Sequence, residues 1–191
     1  MSIDDKLKWN KKYKEIPKLL KDRDPSEKLV KAIKSCKGKT ALEIACGSGR
    51  NSIYLANLNF NVEALDISEV AINTLKNKKY KNIKTKVIDL EGYIPPLNSY
   101  DLIVKTNYLD RDLIPHLKNS LKKDGIIVIE TYMEDSENEK PPSNPNFLLK
   151  EDELKSFFKE GFEILDYEEF FNESYEIFRM KKQAIIAKKT N

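Results

Sequence analysis

The chain has 191 residues, of which 40% are apolar and 34% charged, and its 34 basic and 31 acidic side chains give a net charge of +3. This composition is typical of a soluble globular protein and excludes disordered and fibrous classes. The sequence contains no signal-peptide core and no run of about 20 apolar residues, so we expect a cytoplasmic protein without a membrane segment.

The amino-terminal segment is more basic than the rest of the chain. Residues 1–39 hold 13 Lys or Arg and 6 Asp or Glu, so this segment carries +7. Two helices are predicted there, over residues 3–15 and 25–36. We interpret residues 1–38 as a helical cap on a single domain whose core is 39–191. The basic character indicates either a solvated helix face or a contact for nucleic acid.

The remainder alternates between runs of strand character and amphipathic helical runs. Alternation of this kind predicts an α/β domain with a mostly parallel sheet flanked by helices. The last two strands follow each other without a helix, which predicts an antiparallel hairpin at one edge. The predicted strands are 40–45, 61–66, 83–88, 100–106, 125–132, 162–170 and 178–188, and the predicted helices are 50–59, 69–78, 110–121 and 151–160.

The run from Thr40 to Asn51 passes from a strand through an acidic residue into a Gly-x-Gly turn. Gly47 and Gly49 permit positive φ and let a ligand approach the backbone. The helix that follows directs unpaired N–H groups toward that ligand. Asp66 ends the second strand 19 residues after Gly47, where a carboxylate can accept bonds from two ribose hydroxyls. Together these features predict a site for a nucleoside-containing cofactor.

The surroundings of the turn distinguish between cofactors. The third glycine of the dinucleotide pattern is replaced by Ser52, and 191 residues leave no room for a nicotinamide domain plus a substrate domain. The acid-x-Ala-x-Gly-x-Gly pattern that begins at Glu43 resembles motif I of class I S-adenosylmethionine-dependent methyltransferases. The alternative interpretation of this turn is the nicotinamide-binding site of a small reductase.

Three further motifs resemble the same family and occur in the same order. Asp89-Leu90-Glu91 is similar to motif II, the run 100–104 to the usual fourth strand, and 121–125 to the turn before the fifth strand. The resemblance implies a Rossmann-like sheet of seven strands in the order 3-2-1-4-5-7-6, with the last strand antiparallel. It also implies S-adenosyl-L-methionine as the cofactor.

Other residues resemble the small tellurite-resistance-like methyltransferases. They are Trp9 and Tyr13 ahead of the domain, the turn 49–52, and the run 146–150. Trp9 and Tyr13 are four residues apart on one helix face, so they would either cover the cofactor or pack the helix onto the domain. The tellurite proteins share a His-Arg pair early in the closing hairpin, whereas this chain has Phe-Asn-Glu-Ser-Tyr at 171–175.

The resemblance implies a cofactor site at the carboxyl ends of the first four strands. The acceptor is expected at the loop after the fourth strand, where Asn107 or Tyr108 would orient a nucleophile. Arg111 would either hold an anionic substrate or pair with Asp110 or Asp112 at the start of its helix. The predicted cofactor-binding residues are Trp9, Tyr13, Glu43, Ala45, Gly47, Ser48, Gly49, Asn51, Asp66, Ile67, Asp89, Leu90, Glu91 and Thr106.

We therefore predict an S-adenosylmethionine-dependent methyltransferase that acts on a small-molecule acceptor, in a pocket shaped by residues 133–147 and the amino-terminal helices. Two alternatives stay open. One is an RNA or protein methyltransferase that uses the basic segment, and the other is a partner subunit that binds the cofactor without turnover. We expect no metal site, because the two cysteines lack metal-ligand spacing. The sequence leaves the oligomeric state open.

Overall fold

The computed structural model describes residues 3–142, 144–172 and 178–191. Its strands are β1 Thr40–Ile44, β2 Asn61–Asp66, β3 Ile83–Val87, β4 Tyr100–Thr106, β5 Leu121–Tyr132, β6 Phe162–Phe171 and β7 Lys181–Lys189. They form one sheet in the order β3-β2-β1-β4-β5-β7-β6. Strands β1 to β5 are parallel to one another, while β7 is antiparallel to both β5 and β6. The predicted fold class and strand order are confirmed.

The α-helices are α1 Ile3–Glu15, α2 Glu27–Ala32, α3 Arg50–Asn57, α4 Glu69–Lys76, α5 Leu113–Ser120 and α6 Glu153–Ser156. Short 3-10 turns lie at Pro17–Leu20, Ile33–Ser35 and Pro145–Phe147. Within the described ranges, no helix combines the length and the apolar character that crossing a membrane requires.

Several predicted boundaries were wrong, for local reasons. The predicted helix 110–121 starts only at Leu113, because the Asp110 carboxylate accepts bonds from the backbone N–H groups of Asp112 and Leu113 and forms a turn there. The predicted helix 151–160 is reduced to α6, which follows a left-handed backbone at Asp152. The predicted turn at 121–125 instead belongs to β5, as an irregular start where the pairing with β4 shifts register.

Both faces of the sheet are buried, as expected for parallel strands. One face carries a core that includes Leu55 of α3 and Ile72 of α4. The opposite face carries a core that includes Leu117 of α5 and Leu154 of α6. The carboxyl ends of β1, β2 and β4 therefore meet at a single edge between these two layers, and the predicted site lies at that edge.

At the opposite edge of the sheet, one carboxylate ties the start of β1 to β4 and β5. Asp101 Oδ2 accepts bonds from the Thr40 N–H at 2.9 Å and from Thr40 Oγ1 at 2.5 Å. Lys122 Nζ lies 3.1 Å from both carboxylate oxygens. Burial opposes ionisation of Asp101, but these bonds outweigh it and hold the pKa of its carboxyl below the usual range.

We expect Asp101→Asn to lower the free energy of unfolding at pH 7 by about 1–3 kcal/mol, the value of hydrogen bonds to a charged group. Because the folded-state pKa is depressed, this stabilisation is present above the unfolded value of about 3.9 and is lost as the pH falls through the folded pKa. Urea unfolding at pH 7 and pH 3 measures it, with Glu151→Gln at an exposed position as the charge-matched control. If Asp101→Asn lowered the free energy of unfolding equally at pH 7 and pH 3, the ionised carboxylate would not be the source of the stabilisation.

Candidate active site

The turn after β1 has a left-handed backbone at three nearby positions. Ala45, Gly47 and Gly49 have φ of +54°, +55° and +85°. For a residue with a side chain, such as Ala45, this conformation costs about 1–2 kcal/mol, and such strain is concentrated at functional sites. A Cβ at Gly49 would lie 2.5 Å from a methyl group of Leu75, so this glycine also allows α4 to pack closely. Ser48 is buried within the same turn.

Glu43 lies buried beneath the turn, with 1% of its surface exposed. Its carboxylate accepts a bond from Asn51 Nδ2 at 3.0 Å and another from Ser52 Oγ. Burial raises the pKa of Glu43 to about 7, although the bonds from Ser52 and Asn51 act in the opposite direction. This carboxyl therefore changes protonation state near neutral pH.

Asp66 is held in a fixed orientation at the end of β2. Its Oδ2 accepts the Gly47 N–H and its Oδ1 accepts the Ser68 N–H, both at 2.8 Å. Burial raises the pKa of its carboxyl, while these backbone bonds lower it. Ile67, the next residue, is 6% exposed. The bond to Gly47 joins two predicted elements of the cofactor site, the turn and the acid.

Helix α1 lies on the turn. A Cβ built on Gly47 would be 3.0 Å from Tyr13 Oη, and the rings of Trp9 and Tyr13 are 5.9 Å apart. Burial, and next the charge of Asp66, raise the pKa of Tyr13. Asn10 Oδ1 accepts a bond from Ser68 Oγ at 2.7 Å, which fixes α1 to the start of α4. Trp9 and Tyr13 are thus placed beside the predicted cofactor site, and their binding role stays a prediction.

The motif II residues follow β3 at the same edge. Leu90 is buried in the core, whereas Asp89 and Glu91 are exposed. Asp89 Oδ1 accepts the Glu91 N–H at 3.0 Å, which shapes this short turn. Burial, then the charge of Asp110 and to a smaller extent that of Asp89, raise the pKa of Tyr108, so the motif II acid acts electrostatically on the loop after β4.

At the end of β4, the chain reverses direction at Asn107, whose φ is +57°. The Asn107 N–H donates to the carbonyl oxygen of Glu130 on β5 at 2.8 Å. Thr106 is buried, 3.5 Å from Asn51 Nδ2, and Tyr108 Oη donates to Asp110 Oδ2 at 3.3 Å. Of these predicted residues, Thr106 lies next to Asn51 on α3, while Asn107 and Tyr108 bond to Glu130 and Asp110, so their roles stay predictions.

Arg111 forms an ion pair with Glu153, a partner that the sequence did not indicate. Its Nε and Nη2 donate to the two oxygens of Glu153 at 2.6 and 3.0 Å. Its Nη1 and Nη2 also donate to the carbonyl oxygens of Asn146 and Leu148, at 2.7 and 2.9 Å. The guanidinium thus fixes the segment before α6, and these four bonds leave one N–H group, on Nη1, for the predicted contact with an anionic substrate.

The sequence analysis also missed three buried charged residues at this edge. Glu130 Oε1 pairs with Lys182 Nζ at 3.1 Å, with 2% and 1% of their side chains exposed. Glu130 Oε2 accepts a bond from Ser26 Oγ at 2.7 Å. Lys105, on β4, is also fully buried. A charged residue that directly follows an apolar run within a strand is the signal that would have identified Lys105 and Glu130, whereas Lys182 lies between Lys181 and Gln183 and gives no such signal.

The model of a known family, tellurite resistance protein TehB, matches residues 1–184 of this chain. The chain belongs to the TehB family. A relative from Haemophilus influenzae, named as a probable S-adenosyl-L-methionine-dependent methyltransferase TehB, is 32% identical over 176 residues, which cover 83% of this chain and 59% of the relative. The crystal structure of TehB from the same organism has a TM-score of 0.75 at 29% identity, and the match covers 85% of this chain and 61% of that chain.

This TehB-family chain thus spans about three fifths of the length of those relatives. A ribosomal protein L11 methyltransferase from Campylobacter concisus is 37% identical over 95 residues, covering 48% of this chain and 34% of that protein. Of the 171–175 stretch that replaces the His-Arg pair, residues 173–175 lie outside the described part of the structure.

The raised pKa of Glu43 predicts a pH-dependent stability. Between about pH 4.5 and 7, the Glu43 carboxyl keeps its proton in the folded state but loses it in the unfolded chain. The free energy of unfolding therefore falls as the pH rises through this range. We expect Glu43→Gln to gain on the order of 2 kcal/mol relative to wild type between pH 4.5 and 7.5. Urea unfolding across this range measures the difference, and parallel pH curves for the two proteins would contradict it.

The Arg111 contacts predict a coupled stability loss. We expect Arg111→Met to lower the free energy of unfolding by about 1–3 kcal/mol, since it leaves Glu153 without its charged partner. A double-mutant cycle with Glu153→Gln should show a coupling of about 1 kcal/mol or more. Additive single-variant effects would mean that the ion pair contributes nothing to folding.

Proposed function

We propose that this TehB-family protein is an S-adenosyl-L-methionine-dependent methyltransferase that acts on a small-molecule acceptor. The observation that carries the proposal is the hydrogen bond between Gly47 and Asp66, because it joins the glycine turn of β1 to the acid of β2 in one rigid cradle. The name of the Haemophilus influenzae relative supports the choice of cofactor. The motif II acid lies at the end of the neighbouring strand, where the adenine would be bound.

The residues of the cradle fit this cofactor. The oxygens of Asp66 accept the backbone N–H groups of Gly47 and Ser68, and a carboxylate has about four lone-pair sites, so it can also accept a ribose hydroxyl. The absence of a side chain at Gly47 leaves space next to Tyr13 Oη that a Cβ would fill. Glu43 would face the cationic amino-acid end, and a positive charge there favours its ionised form.

When bound, the cofactor supplies a methyl group on a sulfonium centre that is already a strong electrophile. The protein's contribution is then mainly to hold the acceptor in line, which removes the entropy cost of approach. Asn107 and Tyr108 lie at the edge where the acceptor would enter. Ser26, whose N–H donates to Asn51 Oδ1 at 2.9 Å, fixes the amino-terminal segment to this edge of the sheet.

A cavity after β5 supports a small acceptor. The loop that was expected to shape the acceptor pocket contains an open cavity of about 500 Å³, within the range of small-molecule sites. Its lining combines acidic and amide groups with prolines: Glu134, Asp135, Ser136, Asn138, Pro141, Pro142, Pro145 and Leu148.

The ion pairs of the basic segment argue against nucleic acid as the acceptor. Lys6 pairs with Glu69 on α4, and Lys28 and Lys31 both pair with Asp166 on β6. These three lysines therefore pair with acids of the protein itself, which reduces the positive charge that the segment offers to nucleic acid. The partial likeness to a ribosomal-protein methyltransferase covers only about half of this chain.

The test is calorimetric titration of the protein with S-adenosylhomocysteine and, separately, with NADH. We expect the first to bind, and Asp66→Asn to weaken it by roughly 10- to 100-fold, the value of one or two hydrogen bonds to a charged group. Asp112→Asn, at an exposed position on the start of α5, is the matched control. Unchanged affinity in Asp66→Asn would contradict the site, and binding of NADH alone would make this protein a small reductase.

A further inference from the structure

Strand β4 carries a buried lysine that the proposed function has not used. Lys105 is 0% exposed, and its Nζ has no hydrogen-bond partner within residues 3–142, 144–172 and 178–191. Its neighbours in register are Ile44 on β1 and Ile129 on β5, and both are fully buried. A buried amine without a partner is costly and rare in native proteins. This cost requires an explanation, and a bound molecule that supplies the partner would provide one.

The polar groups near Lys105 come from the loop that follows β4. The ring centroid of Tyr108 lies 5.5 Å from Lys105 Nζ. Burial lowers the pKa of Lys105 to about 7, while Asp110 raises it and Arg111 lowers it further. Strands β1 and β5 contribute apolar neighbours on either side. The neutral amine is therefore well populated at neutral pH, and its lone pair can accept a proton.

Lys105 lies one residue before the end of β4, the strand that leads into the loop expected to hold the acceptor. Its strand neighbour Thr106, whose hydroxyl lies 3.5 Å from Asn51 on α3, faces the other side of the sheet, so Lys105 points to the side that carries the Tyr108 ring. Tyr108 is only partly buried, and burial together with the charges of Asp110, Asp89 and Asp5 raises the pKa of its hydroxyl, so the ring that lies 5.5 Å from Lys105 Nζ is also in the field of the motif II acid. Because Lys105 is 0% exposed, an acceptor bound at this loop reaches the amine only after the Tyr108 ring moves aside.

We propose that Lys105 is the general base of the methyl transfer and that the acceptor is a small weak acid, a phenol or a thiol. This inference rests on the proposed function. The acceptor's O–H or S–H proton passes to Lys105 Nζ, its lone pair forms the bond to the methyl carbon, and the carbon–sulfonium bond breaks with its electron pair returning to sulfur. The ammonium then gives its proton to solvent, which restores the neutral amine.

General chemistry favours this role. A base is most effective when it is unprotonated at the working pH yet still basic enough to take the proton. Lysine reaches that range through burial, which arginine cannot do. A phenol or thiol needs such a base because most of it is neutral at pH 7, whereas a carboxylic acid is already ionised and needs none.

The test compares wild type with Lys105→Met on phenols and thiophenols whose own pKa values run from about 5 to 10, with transfer of a labelled methyl group as the readout. General-base catalysis predicts a loss of about 100-fold or more for the weak acids. Acceptors that are already ionised should lose less than about 3-fold. Wild-type rates on the weak acids should also fall as the pH drops below 7.

A second readout does not depend on activity. Because the folded protein resists charging Lys105, Lys105→Met should have the higher melting temperature at pH 7, and the difference should shrink toward pH 10. If Lys105→Met does not fold, Lys105→Ala with added methylamine replaces it, and the amine should restore transfer to the weak acids.

Three results would overturn the proposal. An equal loss on ionised and neutral acceptors would give Lys105 a merely structural role, and unchanged rates would give it none in the reaction. If wild type methylates no member of the series, the assigned acceptor class is wrong. In that case the S-adenosylhomocysteine titration still decides whether the proposed function stands.

Discussion

The side chain of Asn51 holds together the parts of the molecule that form the site. It is fully buried, accepts the Ser26 N–H through Oδ1, and donates through Nδ2 to Glu43, with Thr106 at 3.5 Å. An amide can donate and accept at the same time, which neither a carboxylate nor an ammonium can do. One residue on α3 therefore fixes the positions of β1, β4 and the amino-terminal segment relative to each other.

The polar contacts extend from Asn51 through Ser26 to the Glu130–Lys182 ion pair on the same side of the sheet. Every charge in this series has a partner, so its desolvation is at least partly offset. Lys105 is on the same edge of the sheet and differs in this respect, because its amine has no hydrogen-bond partner in the described part of the chain. The same edge of the sheet thus contains Lys182, which forms a buried ion pair, and Lys105, whose amine has no hydrogen-bond partner among the described residues.

The sheet order and the cofactor turn could be predicted because both leave strong sequence signals. Strands that are buried on both faces give continuous apolar runs, and the turn requires glycine at positions such as Gly49. The short α6 could not be predicted, since the Leu154 N–H bonds to Gln183 on distant β7. The Glu153 partner of Arg111 could not be predicted for a related reason. The two residues are 42 positions apart in the sequence, and nothing near Arg111 indicates whether it binds a carboxylate of the protein or one of a substrate.

The position of Trp9 has a practical consequence. It is the single tryptophan of the chain, it lies on α1, and Lys12 Nζ is 4.5 Å from its ring centroid. Indole fluorescence responds to nearby charges and to exposure to water, so the tryptophan emission of the whole protein reports on this one helix next to the glycine turn. The unmodified protein therefore carries its own optical probe, and the docking and release of α1 can be followed in real time without an attached label.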